Sequence, residues 1–311
     1  MKQVLITGGA GFIGSHTADA LLAQGVAVRV MDNFSNGKHA NLDASAMAAT
    51  RLTLIHGDVR DAATVDAAMT DVDAVLHLAA QVSVPLSVAD PVGSSTHNIA
   101  GFLNVLDAVR RHKVPRMVYA SSAAVYGVPE ALPLTEANTA RPVSPYGLEK
   151  FINDQYAALY LDLYGVSSVG MRYFNVYGPR QDPKSPYAGV ISKFADGLEG
   201  GKPLRVFGDG LQTRDFIYVG DVARANLLAL QGDVTGVLNV GTGTSVTLLE
   251  LIEAMKEAFG KSAEVQHEPP ATGDIAHSAT HPARLKQSLG WQTDTRLVQG
   301  LRALAESLRK T

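Results

Sequence analysis

Val4–His16 reads VLITGGAGFIGSH. Val4–Thr7 is a short apolar run of the kind that forms a buried strand, and it ends in glycine. Gly8, Gly11 and Gly14 follow in the spacing G-x-x-G-x-x-G, and a helical pattern then runs from Ile13 to Gln24, stopping at Gly25. Glycine at these places allows a tight turn, a close backbone approach to a pyrophosphate, and free N–H groups at a helix N-terminus. Glycines also mark ordinary turns. The strand before them and the helix after them make this triplet a dinucleotide-binding signal.

Working outward, the same alternation continues. Strands are expected at Ala27–Met31, ending at Asp32, and then at Leu52–His56, Ala74–Leu78 and Arg116–Ala120. Asn98–Arg111 is helical, with Phe102, Val105, Leu106 and Val109 on one face. Pro145 starts a long helix reaching about Tyr164, and Val169–Tyr173 is a sixth strand. Strands alternating with helices predict an α/β fold, a doubly wound parallel Rossmann sheet. After Asn175 the texture breaks at Gly178-Pro179-Arg180-Gln181-Asp182-Pro183 and Ser185-Pro186. The division expected is a dinucleotide-binding domain over 1–175, with a return segment at about 215–243 carrying Val237–Val240. A smaller C-terminal α/β substrate lobe then takes 176–214 and 244–311, including amphipathic helices at Leu248–Phe259 and Thr295–Arg309.

Composition narrows the function. Among 311 residues, 27 basic side chains face 30 acidic ones, a balance of −3 that excludes a nucleic-acid binder working by bulk charge. There are 29 glycines and no cysteine, so disulfides, thiolate zinc sites and cysteine nucleophiles are all excluded. Met1-Lys2-Gln3 precedes too short an apolar run for a signal-peptide core, and no stretch is long enough to span a membrane. The expectation is a soluble, cytoplasmic protein with no membrane or nucleic-acid partner.

Asp32 closes the second strand, 18 residues beyond Gly14. A carboxylate there accepts hydrogen bonds from a ribose diol and repels a 2′-phosphate, which favours NAD over NADP. The other reading is a solvated turn residue opening Asp32-Asn33-Phe34-Ser35. Asp58-Val59, after the third strand, sits where an adenine edge would lie, and a plain turn aspartate is open there too. Ser121 and Ser122 follow the strand at 116–120, at the carboxyl end of the sheet where ligands bind. Tyr146 and Lys150 are spaced i, i+4 and share a helix face. A free phenol, with a pKa of about 10, is a poor base at neutral pH. A nearby ammonium and a positive nicotinamide would lower it, and a serine hydroxyl would share the proton of a reacting sugar hydroxyl.

These residues carry a resemblance. TGGAGFIGSH (Thr7–His16), DNFSNGK (Asp32–Lys38), HLAAQVS (His77–Ser83), SSAAVYG (Ser121–Gly127), SPYGLEK (Ser144–Lys150), RYFNVYGP (Arg172–Pro179) and RDFIYVGD (Arg214–Asp221) are similar to those of the extended short-chain dehydrogenase/reductases. Within that family the chain resembles the UDP-hexose 4-epimerases along nearly its whole length. The resemblance implies that Tyr146 takes the proton of the sugar 4-hydroxyl while hydride passes from C4 to tightly held NAD⁺. The 4-keto sugar then turns over and hydride returns to its other face. Ser122 touches the 4-oxygen, Ser121 assists, and Lys150 holds the nicotinamide ribose and tunes Tyr146.

The resemblance further assigns Gly8, Gly11, Phe12, Ile13 and Gly14 to the cofactor, with Asp32, Asn33, Ser35, Asn36 and Gly37. Asp58, Val59, Leu78, Ala79, Ala80 and Tyr173 join them, beside Tyr146 and Lys150. For the UDP-sugar substrate it implies Ser83, Ser122, Tyr146, Asn175, Val190 and Lys193. Arg205 and Phe207 resemble a uracil site, Arg214 a diphosphate contact, and Asp274 and Ser278 part of the sugar loop.

Neighbouring activities are separated by what is missing. 4,6-Dehydratases carry Asp-Glu where this chain has Ala123-Ala124, which cannot titrate, and decarboxylases carry Glu at the place of Ala124. Glucuronate epimerases need a cation where Val82-Ser83-Val84-Pro85-Leu86 offers none. A tyrosine at the place of Ser278 would restrict the pocket to plain hexoses. Serine leaves room for an N-acetyl group, so UDP-GlcNAc/UDP-GalNAc is the expected pair, with or without UDP-Glc/UDP-Gal. A surface position for Ser278 is the competing reading. The family's arginine two residues before Gly273 is Ala271 here, a loss of about 1.5–3 kcal/mol of charge-assisted binding unless Arg214 or Lys193 substitutes.

A 4-keto reductase or dehydrogenase of the same fold, and a catalytically silent NAD-binding protein, are the rival functions. His77 is expected to pack or contact backbone rather than act as a base, and His277 with His281 lacks the helix a metal pair would need. No metal is expected. Tyr156, Leu159, Tyr160 and Leu163 on the Tyr146 helix are either core or, by resemblance, half of a homodimeric four-helix bundle.

Overall fold

The computed structural model describes residues 1–182, 189–270 and 275–309. Its strands in chain order are β1 (Gln3–Thr7), β2 (Ala27–Asp32), β3 (Leu52–His56), β4 (Ala74–His77), β5 (Arg116–Ser122) and β6 (Ser168–Tyr173). The shorter β7 (Asn175–Tyr177), β8 (Leu204–Phe207), β9 (Thr213–Arg214) and β10 (Phe216–Tyr218) follow. β11 (Gly236–Val240), β12 (Val246–Thr247) and β13 (Val265–Glu268) complete them. β1–β6 and β11 form one parallel seven-stranded sheet in the order β11-β6-β5-β4-β1-β2-β3. The order reverses at β1, so the crevice at the carboxyl ends of β1 and β4 is the ligand position of a doubly wound fold.

Helices cover both faces. α1 (Phe12–Ala23), α2 (Ala44–Ala48), α3 (Ala62–Ala68), α4 (Val84–Ala89), α5 (Pro91–Ser95) and α6 (Gly101–Arg111) precede the long α7 (Pro145–Tyr164). α8 (Val190–Gly200), α9 (Val219–Gln231), α10 (Leu248–Phe259), α11 (Ala283–Leu289) and α12 (Leu297–Arg309) follow. α1 and α9 bury Leu21, Leu22, Val222 and Leu227 against Val4, Ile6 and Leu76 on one face. α6 buries Phe102, Val105, Leu106 and Val109 with Leu5, Val75 and Met117 on the other. That is the face the spacing in the sequence predicts. The smaller lobe has its own core, in which Ile191, Phe194, Leu251, Ile252, Met255 and Leu301 pack around the parallel β8–β13 pair.

Three local features differ from the sequence expectation. Ser121 and Ser122 are the last residues of β5 rather than the loop beyond it, because β6 keeps pairing through Ser122↔Tyr173. Residues 84–95, with too few residues for a clear period, form α4 and α5, each started by a capping side chain (Ser83, Asp90) and a proline. A π-turn at Thr96–Ala100 then joins α5 to α6, so the expected helix begins with a wider turn at Asn98. Among the described residues, no helix is long and apolar enough to cross a membrane.

Candidate active site

A cavity of about 870 Å³ opens at the carboxyl end of the sheet. Gly8, Gly11, Phe12, Ile13 and Gly14 line it from the β1–α1 turn. Gly8 has φ +71°, and a Cβ there would lie 2.7 Å from the Ala79 nitrogen. At Gly14 a Cβ would meet the Gly8 carbonyl at 2.4 Å. The close approach of turn, helix and the β4 loop therefore depends on missing side chains. No side chain caps the N-terminus of α1, whose first turn (Phe12, Ile13, Gly14) lines the cavity. Its N–H groups form a site for an anion such as a pyrophosphate.

The end of β2 supplies the next wall. Asp32 accepts hydrogen bonds from the Ala10 N–H (2.9 Å) and the Phe34 N–H (2.8 Å), one on each oxygen. Asp32 is thus the buried end of β2 rather than a solvated turn residue, and each oxygen keeps a further lone pair for a diol. Gly37 packs so tightly on it that a Cβ would lie 2.8 Å from Asp32 Oδ1. Asn33, Ser35, Asn36 and Gly37 all line the cavity, as do Asp58 and Val59 beyond β3. Asn33 donates to Asp58 (2.9 Å), and Arg60 holds the same carboxylate with three further donors, its backbone N–H and two guanidinium nitrogens, keeping it far below the usual carboxylate range. Leu78, Ala79, Ala80 and Tyr173 complete the lining. The Tyr173 hydroxyl donates to Asn226 at 2.7 Å, which fixes its ring.

The reactive groups lie in the same cavity, where Ser121, Ser122, Tyr146 and Lys150 converge from β5 and α7. The two serines have separate environments. Ser122 accepts from the Ala124 N–H (3.2 Å) and lies close enough to the Tyr146 hydroxyl to pull its phenol down. Ser121 donates instead to Asp154 (3.1 Å), turned toward the protein interior. Lys150 is 2% exposed, donates to the Ala120 carbonyl at 2.9 Å, and lies 5.8 Å from the Tyr146 ring centroid.

The expected lowering of the Tyr146 phenol by Lys150 is not what the protein groups produce. Burial raises the phenol, the Ser122 hydroxyl opposes that, and the Glu149 charge adds to it. Burial also brings Lys150 down to about 8 against the pull of Asp154 and Glu149. His77 is buried and bonded to the Thr7 hydroxyl (2.7 Å), and burial brings it down to about 3. It packs rather than titrates, as read from the sequence, although its partner is a side chain and not backbone.

A second cavity, of about 520 Å³, adjoins the first. Alternation along β7 turns Asn175 into it and Val176 into the first. Val190, Lys193, Arg205, Phe207 and Arg214 line it with Asn175, so six of the expected substrate residues share one pocket. Ser83 does not line either cavity: its side chain caps α4 by accepting from Leu86 N–H at 3.0 Å. Ser278 is also outside both linings, but its N–H donates to the Thr213 carbonyl at 3.0 Å, beside Arg214. Asp274 and Ala271 lie outside the described residues. His277 is bonded to the Thr213 hydroxyl (3.1 Å), and no metal-ligating cluster occurs among the described residues.

The sequence reading missed Phe174, His97, Arg180 and Gln181 as lining residues. It also missed the Lys38–Asp182 ion pair (3.0 Å) that closes one edge of the first cavity. Lys38 and Asp182 each stood in a quoted motif, but only the fold shows that the two segments meet.

A glycine cradle, a carboxylate at the end of β2 and a tyrosine–lysine pair in one cleft define a dinucleotide-dependent enzyme of the short-chain dehydrogenase/reductase class. Residues 4–241 match the NAD dependent epimerase/dehydratase family, and the chain belongs to it. Its cofactor is NAD, and the glycine cradle and Asp32 suit that molecule.

A UDP-glucose 4-epimerase of Mycolicibacterium smegmatis is 38% identical, the match covering 99% of this chain and 98% of that one. A UDP-N-acetylglucosamine 4-epimerase from Methanobrevibacter ruminantium, solved with UDP-N-acetylmuramic acid, superimposes with TM-score 0.95 at 38% identity, covering 99% and 98% of the two chains. A Thermus thermophilus UDP-glucose 4-epimerase solved with NAD gives TM-score 0.90 at 40% identity over 99% of each chain.

Proposed function

We propose that this chain catalyses NAD-dependent epimerisation at C4 of a UDP-hexose through a 4-keto intermediate. The observation that carries the reading is the Ser122–Tyr146–Lys150 group, set in the glycine-cradled cavity beside a second, cation-lined cavity. Bound NAD supplies the hydride acceptor and donor at C4. Gly8, Gly11 and the first turn of α1 hold its pyrophosphate, Asp32 its ribose, and Lys150 the ribose next to the nicotinamide. Tyr146 takes the 4-hydroxyl proton and later returns it, and Ser122 bonds the same oxygen. Ser121 acts through Asp154, as a positioning residue. Arg214 and Lys193 face the nucleotide diphosphate, and Arg205 with Phe207 the uracil. Ala123 and Ala124 offer no second acid or base, so elimination of water has no catalyst here.

The sugar pair we infer is UDP-GlcNAc/UDP-GalNAc, with or without UDP-Glc/UDP-Gal. The reading rests on serine in place of tyrosine at 278; its backbone is fastened to Thr213 beside Arg214, while its side chain lines neither cavity. Incubation of the protein with each UDP-sugar, without added cofactor, is expected to give the C4 epimer by NMR. Turnover of UDP-Glc without any conversion of UDP-GlcNAc would sink the size argument. Net consumption of added NADH or NADPH would point to a reductase instead.

The enzyme is further inferred to be a cytoplasmic homodimer. Leu159, Leu163 and Tyr164 are 47%, 60% and 53% exposed along one stretch of α7, more apolar surface than a helix end needs in water. Light scattering at micromolar concentration should give twice the chain mass, and a single-chain mass would remove this part of the proposal.

A further inference from the structure

Glu149 lies between the two residues that carry the proposed proton chemistry, three positions after Tyr146 and one before Lys150. It is 3% exposed, although glutamate is among the residues least often buried. Its Oε2 accepts from the Ser94 hydroxyl (2.9 Å) and the Asn98 amide (2.6 Å). Both partners are uncharged, so these hydrogen bonds bring no opposite charge to the carboxyl group.

Those partners reach the cofactor cavity. Asn98 bonds both backbone groups of Gln81, accepting from its N–H (2.8 Å) and donating to its carbonyl (2.8 Å). Gln81 also donates from its side chain to Ser94 (3.1 Å). Gln81 directly follows Leu78-Ala79-Ala80, which line the cavity. The same segment touches the start of α7 once more, where Tyr146 N–H donates to Ser87 Oγ (3.1 Å). Glu149 is thus the buried hub between the loop after β4 and the helix that carries the base.

We propose that Glu149 is a positioning residue: its carboxylate ties the β4 loop to the base-bearing helix and sets the pH at which Tyr146 and Lys150 work. The inference rests on the catalytic roles given to those two residues above. The other ionisable groups around the pair are already accounted for. Asp154, one turn beyond Lys150, is matched by Arg172 at 3.0 Å. Burial leaves His77 of β4 uncharged near neutral pH. Among the described residues Glu149 makes no salt bridge, and its field disfavours the Tyr146 phenolate and favours the Lys150 ammonium.

Glu149→Gln tests this, because the amide oxygen accepts the same two hydrogen bonds while the charge is removed. Both limbs of the kcat/KM–pH profile for UDP-sugar epimerisation should move to lower pH, by about half to one unit. Ser94→Ala removes one bond and keeps the charge, and should leave the limbs at their wild-type positions. Phenolate ionisation is read separately from tyrosinate absorbance of the NAD-loaded protein, taken as the difference from Tyr146→Phe.

Limbs and phenolate titration that coincide with wild type in Glu149→Gln, while the sugars still turn over, would overturn the assignment alone. If no UDP-sugar turns over but the titration is displaced to lower pH, the assignment stands and the epimerase reading falls.

Discussion

Tyr146 is raised by burial, and the groups that lower it are few: Ser122 is the one the fold itself supplies. On the proposed mechanism the further positive charge would be that of bound NAD⁺, which would tie base strength to cofactor occupancy. Tyr146→Phe should reduce turnover by about 10²–10⁴-fold, the range for losing a positioned acid–base group. NAD content after purification should stay at the wild-type level, because the phenol is not part of the pyrophosphate cradle. Lys150, lowered to about 8, gives a second expectation. A lysine with a lowered pKa keeps its charge below that value and loses it above, so activity should decline as pH rises through about 8. A profile flat to pH 10 would show that the ammonium is not needed. The chemistry of these residues was legible in the sequence: i, i+4 spacing on a proline-started helix holds in any fold. The different roles of Ser121 and Ser122 were not, because alternation along β5 turns one hydroxyl to Asp154 and the other to Tyr146.

The β1–α1 turn shows the same limits at the scale of an element. Its glycine spacing predicted strand, turn and helix, and the structure adds what each glycine meets. Gly14→Ala would press a Cβ against the Gly8 carbonyl at 2.4 Å inside the cradle. The variant should lose its NAD, measured by absorbance of the denatured supernatant, even where the fold survives. Retention of full cofactor would mean that the turn can shift without cost. α7 was placed correctly at both ends, since Ser144 caps it, Pro145 begins it and Gly165 in the left-handed conformation ends it. α4 and α5 escaped notice because each is little more than one turn, too short to display a period. The expected roles of Ser83 and Ser278 depend on such short segments, and neither side chain lines a cavity.

For the whole molecule, the deciding feature is a polar network inside the sheet layer. Asp154 of α7 accepts from Tyr119 and Ser121 of β5 (both 3.1 Å) and from two nitrogens of Arg172 of β6 (both 3.0 Å). Arg172 also donates to Tyr126 (2.9 Å), which donates to Asn239 of β11 (2.7 Å). Asp154→Ala leaves a buried guanidinium without its counter-ion and should cost about 3–5 kcal/mol in denaturant unfolding. Asp154→Leu with Arg172→Met removes both charges and should recover much of that loss. Recovery of folding without recovery of turnover would separate the network's structural part from its hold on Ser121.

The chain's own residues carry the strand–glycine–helix signature, the alternation that makes a parallel sheet, the tyrosine–lysine spacing on which the proposed proton transfer rests, and the absence of thiol chemistry. These are local in spacing and side-chain type, so they survive without coordinates. Tertiary structure alone decided which distant segments share a wall: Asn175 with Arg214, Lys38 with Asp182, Glu149 with Gln81 through Asn98. Such pairings follow from how a twisted sheet brings separate loops to one edge, and no periodicity in the chain encodes which loops those will be.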